Sequence, residues 1–145
     1  LVKPIIAGRY DVMFGSRIRT RAEALAGGMP LIKYLLNRLL TPIENIILGV
    51  NFTEHLSGFR AYSLKALTTV PFQRFSNDFI FDQQFMASAI AHNLKVGEIP
   101  VPVRYYQESS SIQFLKGSKF LLETFVVLAL FILDRLGLIR SKLFH

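Results

Sequence analysis

"YDVMFGSR", Tyr10–Arg17, is the stretch on which the fold turns. Val12, Met13 and Phe14 make a short apolar run with β-branched and aromatic members, stopped by Gly15. That pattern predicts a buried strand, with Ser16 and Arg17 at its carboxyl end. In open α/β sheets, ligands bind in the crevice outside the carboxyl ends of the strands. An α/β fold with a ligand site near Ser16 and Arg17 is therefore expected.

Working outward, the segment before this strand, "LVKPIIAGR", carries neither an initiator methionine nor a secretory leader pattern, which predicts a chain that begins inside a larger fold. After the strand, "IRTRAEALAGGM" reads as a basic, glycine-containing loop. A helix is expected from Pro30, since proline suits a first helical position. Leu31, Leu35, Leu39, Ile43 and Ile47 recur every four residues, with Ile32, Leu36 and Leu40 beside them, and define the face expected to be buried. Lys33, Asn37 and Arg38 lie off that face. Thr41-Pro42-Ile43-Glu44 has the form of a capping box, so a kink or restart is expected there, with Gly49 closing the helix.

Further on, Ser63 is placed to cap a short helix through Val70, ended by Pro71. A second helix is expected from Asn77 or Asp78 to about His92, burying Phe81, Phe85, Ala89 and Ile90. "KVGEIPVPVRYY" alternates through Ile99, Val101, Val103 and Tyr105. Pro100 and Pro102 cannot donate to a ladder, which predicts an edge strand. "QESSSIQF" reads as a loop. The tail from Lys116 is a long apolar helix with basic flanks.

The composition is consistent with a folded α/β domain. The chain has 145 residues, is 51% hydrophobic and carries 13 phenylalanines, enough for one core. It has no cysteine, which excludes a disulfide framework or thiolate metal site and fits a reducing compartment. The net charge of +7 favours anionic partners. Nucleic acid is not expected among them, because the basic residues are scattered and no nucleic-acid motif is present. In the tail, Phe120 to Leu133 gives 14 residues including Glu123, short of the ~20 that span a bilayer. Lys116, Lys119, Arg135, Arg140 and Lys142 bracket it. An anionic membrane surface is the expected partner of this helix, with ordinary packing on the domain as the alternative.

The most polar interruption of the apolar pattern is "TEHLSGFRAYS", Thr53–Ser63. The Ser57-Gly58 pair lets the backbone turn sharply and approach a ligand. Arg60 supplies a planar fork suited to phosphate or carboxylate. Glu54 and His55 are candidates for proton transfer or metal binding. Against this stands a structural reading, in which His55 is an internal residue and Arg60 pairs with Asp82 to hold the loop.

Four segments, "FGSRIRTRAEALAGGMPLIKYLLNRLLTPIEN", "EHLSGFRAYS", "NDFIFDQQ" and "VGEIPVPVRYYQESSSI", resemble, in order and spacing, family 2 glycosyltransferases of the branch related to dolichol-phosphate mannosyltransferase and polyprenyl-phosphate glycosyltransferases. The resemblance runs to about Phe114. It implies the second, acceptor-side half of a GT-A, Rossmann-like domain over residues 1–114. Residues 115–145 then form an apolar C-terminal helix at the membrane interface. It also implies transfer of a sugar from a nucleotide-diphosphate sugar to a lipid-phosphate or glycan acceptor, usually with Mg²⁺ or Mn²⁺, by a protein peripheral at the cytoplasmic face of the membrane. The family's metal-binding Asp-x-Asp is expected upstream. Of Asp11, Asp78, Asp82 and Asp134, no two are separated by one residue, so no metal ligand is expected here and the chain alone is expected to be inactive.

By the same resemblance, Arg17 lies near donor or acceptor phosphate, with Ser57, Gly58, Arg60 and Arg104 as further substrate contacts. Glu54, with His55 beside it, stands where relatives carry an acid that serves as base or orienter. The chain departs from lipid-phosphate mannosyltransferases at Glu108 and Ile112, where those proteins tend to carry a basic residue and a lysine. The acceptor class therefore stays open. The competing reading is a non-catalytic half domain that binds a membrane surface or a partner.

Overall fold

A computed structural model describes residues 1–17, 29, 31–102 and 114–145, with all their side chains except those of 33 and 114–116. The loop expected after Arg17, the helix start at Pro30, and the run from Val103 to Gln113 that contains Arg104, Glu108 and Ile112 lie outside the described residues.

The described chain is a mixed α/β unit built on a three-stranded sheet. A short helix α1 (Val2–Ile6), not expected from the sequence, precedes β1 (Val12–Ser16), whose five residues are all buried. The strand runs through Gly15 rather than stopping at it. β2 (Arg60–Tyr62) pairs antiparallel with β1, setting Phe14 opposite Arg60 and Val12 opposite Tyr62. β3 (Val96–Pro100) pairs parallel with β1 on its other edge, from Val12 opposite Val96 to Ser16 opposite Pro100. The order β2-β1-β3 makes β1 the centre and β3 an edge, the position its prolines tolerate. A parallel pair needs a long crossover. Here the crossover carries α2 (Leu31–Leu48), β2, α3 (Leu64–Thr69) and α4 (Phe81–Ala91).

Local signals set several boundaries. Ser63 caps α3, its Oγ accepting from Ala66 N at 3.0 Å. Gly49 follows α2 at φ +70°, a left-handed value that glycine adopts without a Cβ penalty. Asn93 does the same after α4 at φ 56°. α4 starts later than expected, at Phe81, and Phe81 and Ile90 are half-buried while Phe85 and Ala89 are fully inside.

Two apolar clusters hold the layers. Phe85 centres the first with Val12, Ala66, Val70, Phe75, Ala89 and Leu94; Tyr62 stacks on it at 4.3 Å between ring centroids. The second joins the last helix, α5 (Phe114–Arg135), to α2 and α4 through Leu48, Ile80, Ala87, Val127, Leu128 and Phe131. No helix of the described residues is long and apolar enough to cross a membrane.

The facing of α2 departs in part from the sequence-based expectation: Leu40 is buried and Ile43 and Ile47 are half-buried against the core, but the first half of the apolar face is turned outward. Leu31, Ile32, Leu35 and Leu39, expected inside, are 53–65% exposed, and Ile46 is 82% exposed. At 3.6 residues per turn these five project within about a 100° arc. The fully buried residues of the helix are Asn37, Leu40, Thr41, Glu44 and Leu48, three of the five polar. The helix also runs unbroken through Pro42, and Thr41 caps nothing: its hydroxyl donates to Asn37 Oδ1 one turn back at 2.9 Å. The physical reason is the polar segment Thr53–Arg60, which packs against α2 and needs polar partners there.

Candidate functional site

Arg17 leaves the carboxyl end of β1 and meets Glu54, which the chain carries back to the same place in the segment between α2 and β2. Glu54 is fully buried. Its Oε2 accepts from Arg17 N at 2.6 Å, and its Oε1 accepts from Arg17 Nε at 2.9 Å and from the neighbouring Arg17 Nη2. Asn37 Nδ2, on the buried side of α2, donates to the same Oε1 at 2.9 Å. Arg17 Nη2 also donates to Leu56 O at 3.0 Å. A carboxylate held by a guanidinium fork, a main-chain N–H and an amide is fixed in direction as well as charge. Arg17 remains a quarter exposed, so its outer edge reaches solvent.

That edge opens on a cleft of about 370 Å³ lined by Arg17, Ser57, Gly58, Phe59, Val101 and Pro102. Gly15 lies against two of the lining residues, Val101 and Phe59. A Cβ there would stand 2.8 Å from Val101 Cγ2 and 2.9 Å from Phe59 Cδ1, so the close approach of the cleft walls requires glycine. Ser57 is buried and Gly58 exposed, which brings backbone rather than side chain to the cleft. The cleft lies where the strand's carboxyl end placed the expected site, and it gathers Arg17, Ser57 and Gly58 together.

Arg60 points the other way. Its side chain is 2% exposed and donates to three main-chain carbonyls: Ser57 O at 2.9 Å, Asp82 O at 2.8 Å and His55 O at 3.0 Å. Asp82 Oδ1 stands 3.3 Å from its Nε. Burial raises the proton affinity of Asp82, and the Arg60 charge offsets part of that rise. In this position Arg60 ties the loop to α4.

His55 is fully buried behind the cleft. Its Nε2 lies 2.8 Å from Asn45 Oδ1. Asn45 Oδ1 also accepts from Phe52 N at 3.0 Å and its Nδ2 donates to Phe52 O at 2.9 Å, which fixes which end of the amide is oxygen. His55 Nε2 must therefore be the donor. Burial lowers the imidazole's pKa to about 4, and the Arg60 charge acts in the same direction.

Other contributors were not evident from sequence motifs. Glu98, on β3, accepts from Thr53 N at 2.9 Å and from Thr53 Oγ1 at 3.0 Å, and Thr53 Oγ1 lies 2.6 Å from Ser16 Oγ. Burial raises the proton affinity of Glu98 against the pull of these bonds. The one sequence signal for Asn37 was its spacing, i and i+4 and i+7 with Thr41 and Glu44. No group of three or more His, Cys, Asp or Glu among the described residues could hold a metal ion.

No protein-family model and no solved structure matches the chain. Over 109 residues it is 29% identical to a UDP-N-acetylglucosamine–dolichyl-phosphate N-acetylglucosaminyltransferase of Methanococcus voltae, covering 75% of this chain and 43% of that protein. Over 123 residues it is 31% identical to an uncharacterized protein of Methanocaldococcus jannaschii, covering 83% of this chain and 50% of that one. The chain thus spans half or less of the length of these curated relatives, and its similarity to one of them is a similarity to a glycosyltransferase.

Proposed function

We propose that this chain is the acceptor-side half of a GT-A glycosyltransferase of family 2, serving transfer of a sugar from a nucleotide-diphosphate sugar to a lipid-phosphate or glycan acceptor. The observation that carries the reading is the Arg17–Glu54 clamp at the carboxyl end of β1, opening on a cleft with the Ser57–Gly58 backbone. Similarity over three quarters of the chain to a transferase that acts on dolichyl phosphate supports it.

In this reading Arg17 contacts phosphate through the solvent-exposed part of its side chain, because a guanidinium charge attracts an oxyanion. Glu54, together with Leu56 O, orients the guanidinium. Glu54 Oε1 accepts from the Arg17 side chain and Asn37 and its Oε2 from Arg17 N, which favours the orienting role over that of general base. Mg²⁺ or Mn²⁺ would be held by carboxylates outside the described residues.

The reading also places the chain at an anionic membrane surface on the cytoplasmic side. Its support is the outward apolar stripe of α2 and a second on α5 formed by Leu122, Phe125, Val126, Ile132 and Leu133. Exposed Arg38, Lys119 and Arg135 accompany these stripes. The same stripes would serve a non-catalytic half domain bound to a membrane or partner.

The test is turnover by a longer protein that contains this chain, given UDP- or GDP-sugars, Mg²⁺ and either a polyprenyl phosphate or a glycan. Transfer is expected from the longer protein, with a large loss on Arg17→Met. The 145-residue chain alone is expected to give none. Transfer by the isolated chain, or unchanged transfer after Arg17→Met, would overturn the reading.

A further inference from the structure

A second carboxylate, Glu98, stands beside the Arg17–Glu54 clamp. It is half-buried on β3, opposite Phe14 of β1. Its two oxygens share the main-chain N–H of Thr53 at 2.9 and 3.0 Å, and Oε2 also accepts from Thr53 Oγ1 at 3.0 Å. Thr53 Oγ1 in turn lies 2.6 Å from Oγ of Ser16, the last residue of β1. One step further along both segments, Arg17 N donates to Glu54 Oε2. The end of β1 is thus joined to the returning segment at two successive positions, Ser16 with Thr53 and Arg17 with Glu54. Glu98 holds the first of them from the neighbouring strand.

These hydrogen bonds have a direction. As a carboxylate Glu98 only accepts, so the single hydroxyl hydrogen of Thr53 goes to it. The 2.6 Å contact then takes its hydrogen from Ser16. Two donors of Thr53 meet one charged acceptor, which fixes the residue in rotation as well as in place. Burial raises the proton affinity of Glu98, the Thr53 bonds lower it, and the Glu54 charge raises it again, so the two carboxylates are near enough to act on each other. A glutamine at this position would keep one acceptor and replace the other with an NH₂ group that cannot accept from Thr53.

β3 also leads into the cleft. Three residues past Glu98, Val101 lines the cleft together with Arg17, and its N donates to Ser16 O at 2.9 Å. One stretch of chain therefore carries both a cleft wall and the anchor of the clamp. Other ties of the returning segment lead to helices: Asn45 of α2 holds Phe52 N and O, and Arg60 reaches Asp82 O of α4.

We propose that Glu98 is a positioning residue for Arg17. By holding Thr53 against Ser16 it sets the register of Glu54 on the end of β1, and with it the place of the guanidinium relative to the Val101 wall. A binding constellation has to be held to within about 0.5 Å to be productive, and Glu98 supplies that constraint from the strand that builds the wall. The inference deepens the reading of the cleft as a phosphate site and rests on it.

The test follows the Arg17 Nε–H resonance and urea stability in the 145-residue chain and in its variants Glu98→Gln, Thr53→Val and Thr53→Ser. The wild type is expected to show a slowly exchanging Nε–H bonded to Glu54. In folded Glu98→Gln and Thr53→Val that resonance is expected to shift and to exchange roughly three- to tenfold faster, the factor that one hydrogen bond of ordinary strength supplies. Thr53→Ser keeps the hydroxyl and is expected to retain the wild-type signal. A purely structural Glu98 would lower urea stability and leave the resonance of the folded molecules unmoved, and that outcome overturns the proposal. Thr53→Val keeps the main-chain bond to Glu98, so it gives the readout even where Glu98→Gln does not fold. Inorganic phosphate is then titrated against the same resonance. The wild type is expected to respond, and Glu98→Gln to need several times more phosphate for the same response. No response in the wild type overturns the phosphate reading and the proposal with it. Equal responses in the wild type and Glu98→Gln overturn the proposal alone.

Discussion

Glu54→Ala is the most informative single change, because it removes one half of a buried ion pair and leaves the other half in place. The substitution deprives Arg17 Nε, Arg17 N and Asn37 Nδ2 of their acceptor at once. Breaking a buried pair by removing one partner costs about 3–5 kcal/mol. For a chain of this size that corresponds to roughly 10 °C or more in melting temperature. Arg17→Met acts differently. It removes the guanidinium but keeps the main-chain N–H to Oε2 and the Asn37 bond, so Glu54 stays half-satisfied. Its cost should be smaller, about 2–3 kcal/mol, because Arg17 is a quarter exposed and part of its charge is already solvated. Combining the two changes removes both charges together. The double variant should therefore be less destabilised than the sum of the singles, by about 1–3 kcal/mol. Urea unfolding of all four proteins measures the cycle. Additivity within about 0.5 kcal/mol would refute the clamp as an energetic unit.

Arg60→Lys should cost about 3 kcal/mol or more, since an ammonium cannot reach three carbonyls and Asp82 together; near-native urea stability would remove Arg60 from its bracing role. Gly15→Ala should lower stability by about 1–3 kcal/mol as its Cβ drives Val101 and Phe59 apart, seen as a melting-temperature loss. Leu35→Glu with Leu39→Glu should abolish co-sedimentation with anionic vesicles at unchanged melting temperature, because both residues are more than half exposed; equal sedimentation would reject the α2 surface as a membrane contact.

Elements whose signals are local could be read from the sequence. β1 announces itself by an apolar run, α3 by Ser63 and Pro71, and β3 by prolines that only an edge accepts. The Thr53–Ser63 segment was conspicuous as polar chemistry between apolar helices, and Arg17 as the residue ending a buried strand. The facing of α2 was hidden for a reason that periodicity cannot express. Amphipathic pattern assumes that the interior is apolar. Here Asn37 is drawn inside by Glu54 and Thr41 is bonded to Asn37, while Leu31, Leu35 and Leu39 are turned outward. β2 went unread because three residues carry too little pattern, and neither a phosphate contact nor a brace to Asp82, the two roles open to Arg60, marks a strand. The roles of Asn45 and Glu98 are tertiary facts, visible only once separate segments meet.

The central place of β1 has a consequence for how the chain is made. Its partners come late: the Asp11 carboxylate that ends the ladder binds Lys95 N, 84 residues downstream. Until β3 is synthesised, a strand that is fully buried in the folded chain has at most one neighbour. At ~5–20 residues per second that interval lasts roughly 4–17 s. Pairings of such long range also form slowly, since loop closure precedes any gain from contact. The nascent strand is thus the segment most open to wrong pairing or to holdase capture. Variants that weaken β3, Gly97 among them with Tyr10 ring atoms 2.6–2.8 Å from where a Cβ would stand, should reduce soluble yield more than they reduce the stability of the molecules that do fold.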